Sequence, residues 1–501
     1  MPLSPTPTSR RTMLLGGAAA IAAAGLGYSA LKPRPVRAAS DPNHVTPLAI
    51  PPLDRGRVEG GVRIFGLTLQ KGTSRFFRGL DTPTLGINAA YLGPVLRLRS
   101  GERTRFNVTN DIGEASTLHW HGFNLPARTD GGPHQIIAPG TTWSPEFEIV
   151  ERASTMWFHS HMFHKTAPQV WAGLAGMAII DDAESDALPL PRSYGVDDIP
   201  VVLQDRAFLN DGTMPYRPGI PQRMMGMIGN FPMVNGVIAP YLEVTTRRLR
   251  LRLLNGSNAS IYHLRFSDNR PFHQIASDGG LLAAPVPMSR LQLAPGERAE
   301  IVVEITGSAP FRLLNDPAAG RRGGGMMGGG MMGGMMGGGV PAFSFLELRP
   351  AESLSPSPEL PARLVDMPAA DVAAATRTRQ FQLQMGMMAS GFRISGKEMD
   401  IDRIDHVVKR GEAEIWEVSS NGMIPHPFHV HNTQFRVIDR NGAPPPANEA
   451  GLKDTVVINP GEVVRILVRF DRYADAERPY MYHCHILEHE DGGMMGQFAV
   501  V

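Results

Sequence analysis

His483-Cys-His-Ile-Leu-Glu-His-Glu-Asp-Gly-Gly-Met494 gathers three histidines, a methionine and the only cysteine of the chain into one short run. In a β-strand, residues i and i+2 share a face and the residue between them faces the other way. Read as a strand, this run sends His483 and His485 to one side and Cys484 to the other. The same spacing recurs in His119-Trp-His121, His159-Ser-His161 and His429-Val-His431, the last preceded by His426-Pro-Phe. Together the four motifs hold ten of the sixteen histidines, two motifs near the front and two near the end. That distribution predicts a metal centre assembled from distant parts of the fold.

Parity divides the motifs into two sets. His426 is out of phase with His429 and His431, so it can meet Cys484 on one side while the histidine pairs meet on the other. His489 and Met494 follow Cys484 by five and ten residues and can return to the cysteine side from the next loop. Two histidines, a thiolate and a distant methionine are the pattern of a blue-copper electron-transfer site, where the weak axial thioether helps set the potential. The eight paired histidines are too many for one metal and suit a cluster. His483-Cys484-His485 would join the two sites through a few covalent bonds. A lone strand histidine is more often a satisfied core or surface residue, but matched pairs around a single cysteine do not fit that. Structural zinc takes four ligands, usually several of them cysteines, which this set exceeds and mismatches.

The surrounding chain reads as all-β. Gly (54) and Pro (43) are abundant, as in turn-rich β proteins. Val95-Leu-Arg-Leu-Arg99, Leu249-Arg-Leu-Arg-Leu253 and Val463-Val-Arg-Ile-Leu-Val-Arg-Phe470 alternate at period two. A length of 501 residues exceeds one ordinary core. Three stretches share a plan, at 45–185, 196–350 and 376–501, each closing on an apolar strand. Pro/Ala/Ser-rich linkers separate them near 183–195 and 351–375. We expect three Greek-key β-sandwiches, with Asn235-Gly236 as a hairpin turn in the second. His263 and His273 of that stretch are unpaired, so the metal centre should lie between the first and third.

Residues 1–39 carry Arg10, Arg11, Lys32, Arg34 and Arg37 and no acid, and removing them turns the net charge from +1 to −4. No basic patch of the kind nucleic-acid binding requires remains. Ser9-Arg-Arg-Thr-Met-Leu-Leu before a Gly/Ala-rich stretch, then Val36-Arg-Ala-Ala39, looks like a twin-arginine signal peptide. The expected partner is the twin-arginine export machinery, and the expected location periplasmic or otherwise exported. The stretch is too short and weakly apolar for a membrane anchor, so no stable span is expected in the mature chain. One cysteine allows no intrachain disulfide.

Residues 323–339 are a Gly/Met run holding Met326, Met327, Met331, Met332, Met335 and Met336. It cannot hold a packed core. It is either an inert insert or a capture segment for Cu(I), which soft thioethers suit. Met385, Met387 and Met388 form a smaller group of the same kind.

The four histidine motifs resemble the copper-binding signatures of the multicopper oxidases, across nearly the whole mature chain. Within that family the likeness is to the bacterial periplasmic copper-efflux oxidases. It is carried by Trp157-Phe-His-Ser-His161, Gly173-Leu-Ala-Gly176, His426-Pro-Phe-His-Val-His-Asn-Thr-Gln-Phe435 and the 483–494 run. The resemblance implies cupredoxin-like domains and four copper ions. A type 1 copper would take His426, Cys484 and His489, with Met494 axial. A type 2 copper would take His119 and His429. The type 3 pair would take His121, His159 and His485 on one ion and His161, His431 and His483 on the other. It further implies single electrons entering at the type 1 site and O2 reduced to water at the cluster. Asp130, in Thr129-Asp-Gly-Gly-Pro133, and Glu490, directly after His489, look like the family's proton-path acids; the plainer reading is a turn aspartate and a solvated glutamate.

Two features depart from the copper-efflux pattern. The methionine-rich run sits in the second stretch rather than the third. Asn421-Gly-Met-Ile-Pro-His426 also lacks the aspartate that usually precedes the first type 1 histidine. The expected function is an oxidase acting on Cu(I), with O2 as acceptor. A laccase acting on phenols or aromatic amines, a copper-storage protein and a copper-free envelope scaffold are the alternatives.

Overall fold

The structure is a computed structural model describing residues 34–36, 43–317, 340–386 and 391–501. Its alternating runs are strands, at Val95–Arg99, Arg248–Asn255 and Val463–Arg469. In Val463–Arg469 the buried residues are Val464, Ile466 and Val468, the period of a strand with one face in the core. Arg248–Asn255 behaves differently. Leu249, Leu251 and Leu253 enter the core, yet Arg250 and Arg252 on the other face are buried too. First-domain residue Thr155 lies against that face, and Asp198 and Glu300 pair with the arginines.

Among the described residues, six sheets make three successive sandwiches. In the first, Phe65 and Phe106 from one sheet meet Trp120 and Phe158 from the other. The second packs Leu251 and Ile301 against Tyr262 and Phe345, and the third packs Trp416 and Ile466 against Phe428 and Tyr482. Each closes alike, by a strand running parallel to an earlier one. Ala175–Asp181 pairs with Val95–Arg99, Phe343–Ser355 with Tyr241–Thr246, and Met495–Val500 with His406–Val408. Such crossovers, rather than hairpins, give the Greek-key character.

The middle closing strand runs past 350 to Ser355, which pairs with Thr246. The linker expected at 183–195 opens with a short helix, Ala183–Asp186, capped by Asp182. Asn235 and Gly236 both have positive φ, 51° and 78°, as the tight hairpin turn requires. Arg34 and Val36, inside the expected signal peptide, bond to Asn210 and Phe208. The first and third domains touch directly: Tyr480 Oη donates to Leu125 O at 2.8 Å, and Leu125 N to Asn432 Oδ1 at 3.1 Å. No helix among the described residues is long and apolar enough to cross a membrane.

Candidate copper centre

Neighbouring strands bring the motifs together in pairs. His119–His121 runs antiparallel to Ser154–His159, placing His119 opposite His159. His426–Val430 runs antiparallel to Asp475–Cys484, placing His429 opposite His483 and Phe428 opposite Cys484. Only the first pair lies wholly inside a strand. His161, His431 and His485 fall just past strand ends. Their backbones are held instead by single bonds, His161 N to Thr117 Oγ1, His431 N to Met481 O and His485 N to Pro427 O.

The eight paired histidines converge from two domains and are buried, each at most 1% exposed. Their ring nitrogens fall into three groups: His119, His121 and His429; His121, His159 and His485; and His161, His431 and His483. In the last, Nε2 of His161 and of His431 each lie 3.2 Å from His483 Nε2. On the cysteine side, Cys484 Sγ lies 3.4 Å from His426 Nδ1 and 3.7 Å from His489 Nδ1. Met494 is fully buried in the same core cluster, and its carbonyl accepts from Cys484 N at 3.0 Å. The ten histidines and Cys484 are therefore brought together, divided as parity requires, and Met494 shares a core cluster with Cys484.

Hydrogen bonding tests whether these residues fit metal. The Nδ1 atoms of His119, His159, His429 and His483 each donate to a backbone carbonyl, at 2.8–3.0 Å. A nitrogen that carries the proton leaves the other with a lone pair. Nε2 of His119, His159, His429 and His485 is buried with no hydrogen-bond partner. His121 is turned around: Nε2 lies 3.0 Å from Asp454 Oδ1, and Nδ1 is the buried, unpartnered atom. Buried lone pairs without donors are costly, and a Lewis-acidic metal is what would satisfy them. Burial, with the neighbouring rings, pushes His121, His159, His161, His431, His483 and His485 well below the usual imidazole range. They are held neutral, as ligands must be. His489 is lowered to about 4 by burial. Burial raises the Cys484 thiol, and a coordinating metal deprotonates such a group outright. The donor set fits copper.

Asp130 is buried rather than lying on a solvated turn. Its carbonyl accepts from His119 Nδ1, and its Oδ2 lies 2.9 Å from Nδ1 of His431. Glu490 is not solvated either: it is 1% exposed, with Oε1 3.3 Å from His161 Nδ1 and Oε2 3.2 Å from His483 Nδ1. Burial, then Asp491, lifts its carboxyl well above the usual range. Both acids thus sit against cluster histidines. Met385 ends the strand Ala375–Met385 and packs on the third-domain core. Met387, Met388 and the methionines of 323–339 lie outside the described residues.

Most other contacts have no signal in the motifs. Asp454 reaches His121 across 333 positions. Trp157 stacks on His159 with ring centres 4.0 Å apart, and Phe392 on His489 at 4.5 Å. The Met224 carbonyl holds His489 Nε2 at 3.0 Å, leaving Nδ1 for the cysteine side. Of these, only Trp157, two residues before His159, lies within one of the motifs.

The chain is similar to known proteins. Models of the multicopper oxidase family match residues 68–185 and 373–501. Multicopper oxidase mco of Staphylococcus haemolyticus is 33% identical over 88% of this chain and 89% of its own. The chain belongs to the multicopper oxidase family. Another relative, cell division protein FtsP of Photorhabdus laumondii, is 35% identical over 93% of this multicopper oxidase and 95% of its own length. The solved laccase-like multicopper oxidase CueO of Ochrobactrum sp., described as active towards lignin model compounds and lignosulfonate, superposes with a TM-score of 0.81. It is 39% identical, covering 91% of this chain and 100% of that one.

Proposed function

We propose that this multicopper oxidase couples the one-electron oxidation of Cu(I), a detoxifying reaction, to the four-electron reduction of O2 to water. The observation that carries the oxidase reading is the buried lone-pair set around a cysteine flanked by two cluster histidines. Bound copper would supply one-electron exchange at a thiolate site and O2 reduction at a cluster. The type 1 ion would be held by His426, Cys484, His489 and Met494, and the type 2 ion by His119 and His429. The two type 3 ions would be held by His121, His159 and His485 and by His161, His431 and His483.

The chain's own residues do the rest. Cys484 links the two sites covalently through its neighbours. Reducing one O2 consumes four protons, so acids beside the cluster matter. Asp130 holds His431 Nδ1, and Glu490 lies between Nδ1 of His161 and His483, each placed to hold and pass a proton. A storage protein needs accessible ligands, whereas these donors are buried. A copper-free envelope scaffold needs no donors, whereas none is missing here. The leader supports export by the twin-arginine route to the periplasm.

Cu(I) as donor is supported by the soft thioethers of Met326–Met336, Met385, Met387 and Met388. Oxidation of phenols or aromatic amines is the second reading. A cavity of about 400 Å3 favours it, lined by Tyr216, Glu488 and Phe392, the ring stacked on His489. The activity described for the Ochrobactrum relative supports it too. Oxygen uptake with Cu(I) and with a phenol, on the intact protein and on a Gly323–Gly339 deletion, separates them. Uptake driven by Cu(I), slowed by the deletion at limiting Cu(I) but unchanged with the phenol, is expected. Uptake driven by the phenol alone would overturn the cuprous reading.

A further inference from the structure

The middle domain has no paired histidines, yet one of its loops forms a wall of the cluster. Gly296 lies against His485, so close that a Cβ there would stand 2.8 Å from the ring. Two residues later, Arg298 is fully buried and spends every N–H on a partner. Nη1 and Nη2 form a fork on Asp454, at 2.7 Å to Oδ1 and 2.6 Å to Oδ2. Nε donates to Thr155 O, Nη1 also to Gly296 O and Nη2 also to Asp278 O, each at 3.0 Å. One guanidinium thus ties together all three domains. Asp278 in turn takes Lys453 Nζ at 2.9 Å, so the pair sits in a closed network of buried charges.

The geometry at Asp454 reaches the cluster. Its Oδ1 lies 3.0 Å from His121 Nε2, and its backbone carbonyl accepts from His429 Nδ1 at 2.8 Å. The space for this contact is made by Gly122, at φ 89°, where a Cβ would stand 2.6 Å from Asp454 Oδ2 and 2.7 Å from Arg298 Nη2. No larger residue at 122 leaves room for the fork.

We propose that Arg298 is a positioning residue for the histidine cluster. Its guanidinium fixes the Asp454 carboxylate as acceptor for His121 Nε2–H, and so turns His121 Nδ1 toward His159 and His485. A bidentate guanidinium fixes a carboxylate in plane and rotation, which a lysine point charge does not. Without it, Asp454 is free to rotate and His121 is free to take the other tautomer, with its lone pair facing away from the cluster. The middle domain then acts as part of the metal site and not as a spacer. This inference rests on the copper reading given above.

The test is copper binding by the apoprotein, read by competition against a chelator, with blue absorbance reporting the cysteine side in the same sample. Arg298→Met and Asp454→Asn should keep full blue absorbance while cluster copper binds about 10–100-fold more weakly. The weakened ions should add an electron paramagnetic resonance signal from copper that is no longer paired. Arg298→Lys, which keeps the charge, should recover part of the loss, and the Arg298→Met/Asp454→Asn double variant should be no weaker than either single one. Unchanged cluster affinity in Arg298→Met would overturn the proposal. So would equal loss of blue and cluster copper together with a lowered apoprotein melting temperature, the sign of a residue that only holds domains together. Failure of the unaltered protein to take up copper would strike the copper reading itself, and is distinguished by that control.

Discussion

The two faces of His483-Cys484-His485 are built by different means. On the cysteine side every donor falls between His426 and Met494, inside one sandwich. On the histidine side four rings come from the first domain and four from the third, and carboxylates cross between domains to hold them. A side chain such as Asp130, in the first domain, orients His431 in the third. The cysteine side thus draws its donors from one domain, with the Met224 carbonyl of the second turning one ring, while the cluster draws its donors from two. Damage at the cluster should therefore spare the blue site, and damage to domain contacts away from both should spare each of them.

The largest effect should follow removal of a cluster donor. His161→Ala takes one of three converging nitrogens from beside His483 and His431. Oxygen uptake should fall to background while blue absorbance stays within a few per cent of the parent's; loss of colour would contradict the separation of the two faces.

Next comes Asp130→Ala, which removes the acceptor at His431 Nδ1 and an acid at the cluster. Turnover should fall on the order of 10²-fold, with colour retained. Steady-state oxygen uptake at saturating donor measures it, and unchanged turnover would remove Asp130 from the proton path.

The spacing of the four motifs, and with it the division between faces, was legible because strand parity is a local property. Fold class was legible for the same reason, from alternation in runs such as Val463–Arg469. What orients the rings was not. Asp454 and Arg298 carry no motif, and they reach His121 only when three domains close on one another. The burial of Arg250 and Arg252 was hidden likewise, since an alternating Arg/Leu strand reads as half-exposed until a neighbouring domain covers its polar face. Three of the four histidine pairs straddle strand ends, and the backbone bonds that keep His161, His431 and His485 in place come from distant residues.

The smallest effect on the metal sites should come from Glu300→Gln. Glu300 is buried and receives Arg250 Nε and Arg252 Nη1, both at 2.8 Å, and Thr155 Oγ1 at 2.7 Å from the first domain. Burial alone would raise its carboxyl, but the two arginines outweigh it and hold it at about 2, below the ordinary 4.5. A lowered carboxyl stabilises the fold above the ordinary range, and that stability is lost as pH falls from about 4.5 toward 2. The variant should lose about 3–5 kcal/mol near neutral pH, since both arginines keep their charge but lose a partner. Urea unfolding should show the gap between parent and variant narrowing in acid, with colour and copper content equal before unfolding. A gap that stays constant with pH would contradict it.

One strand end is proposed to join two copper sites held by separate donor sets. Counting copper in the reconstituted parent and in Cys484→Ser tests it most directly. Four ions per chain and a blue parent are expected, against three ions and no colour in the variant, whose cluster histidines are untouched. A variant that stays blue, or one that loses the cluster copper along with the colour, would contradict it.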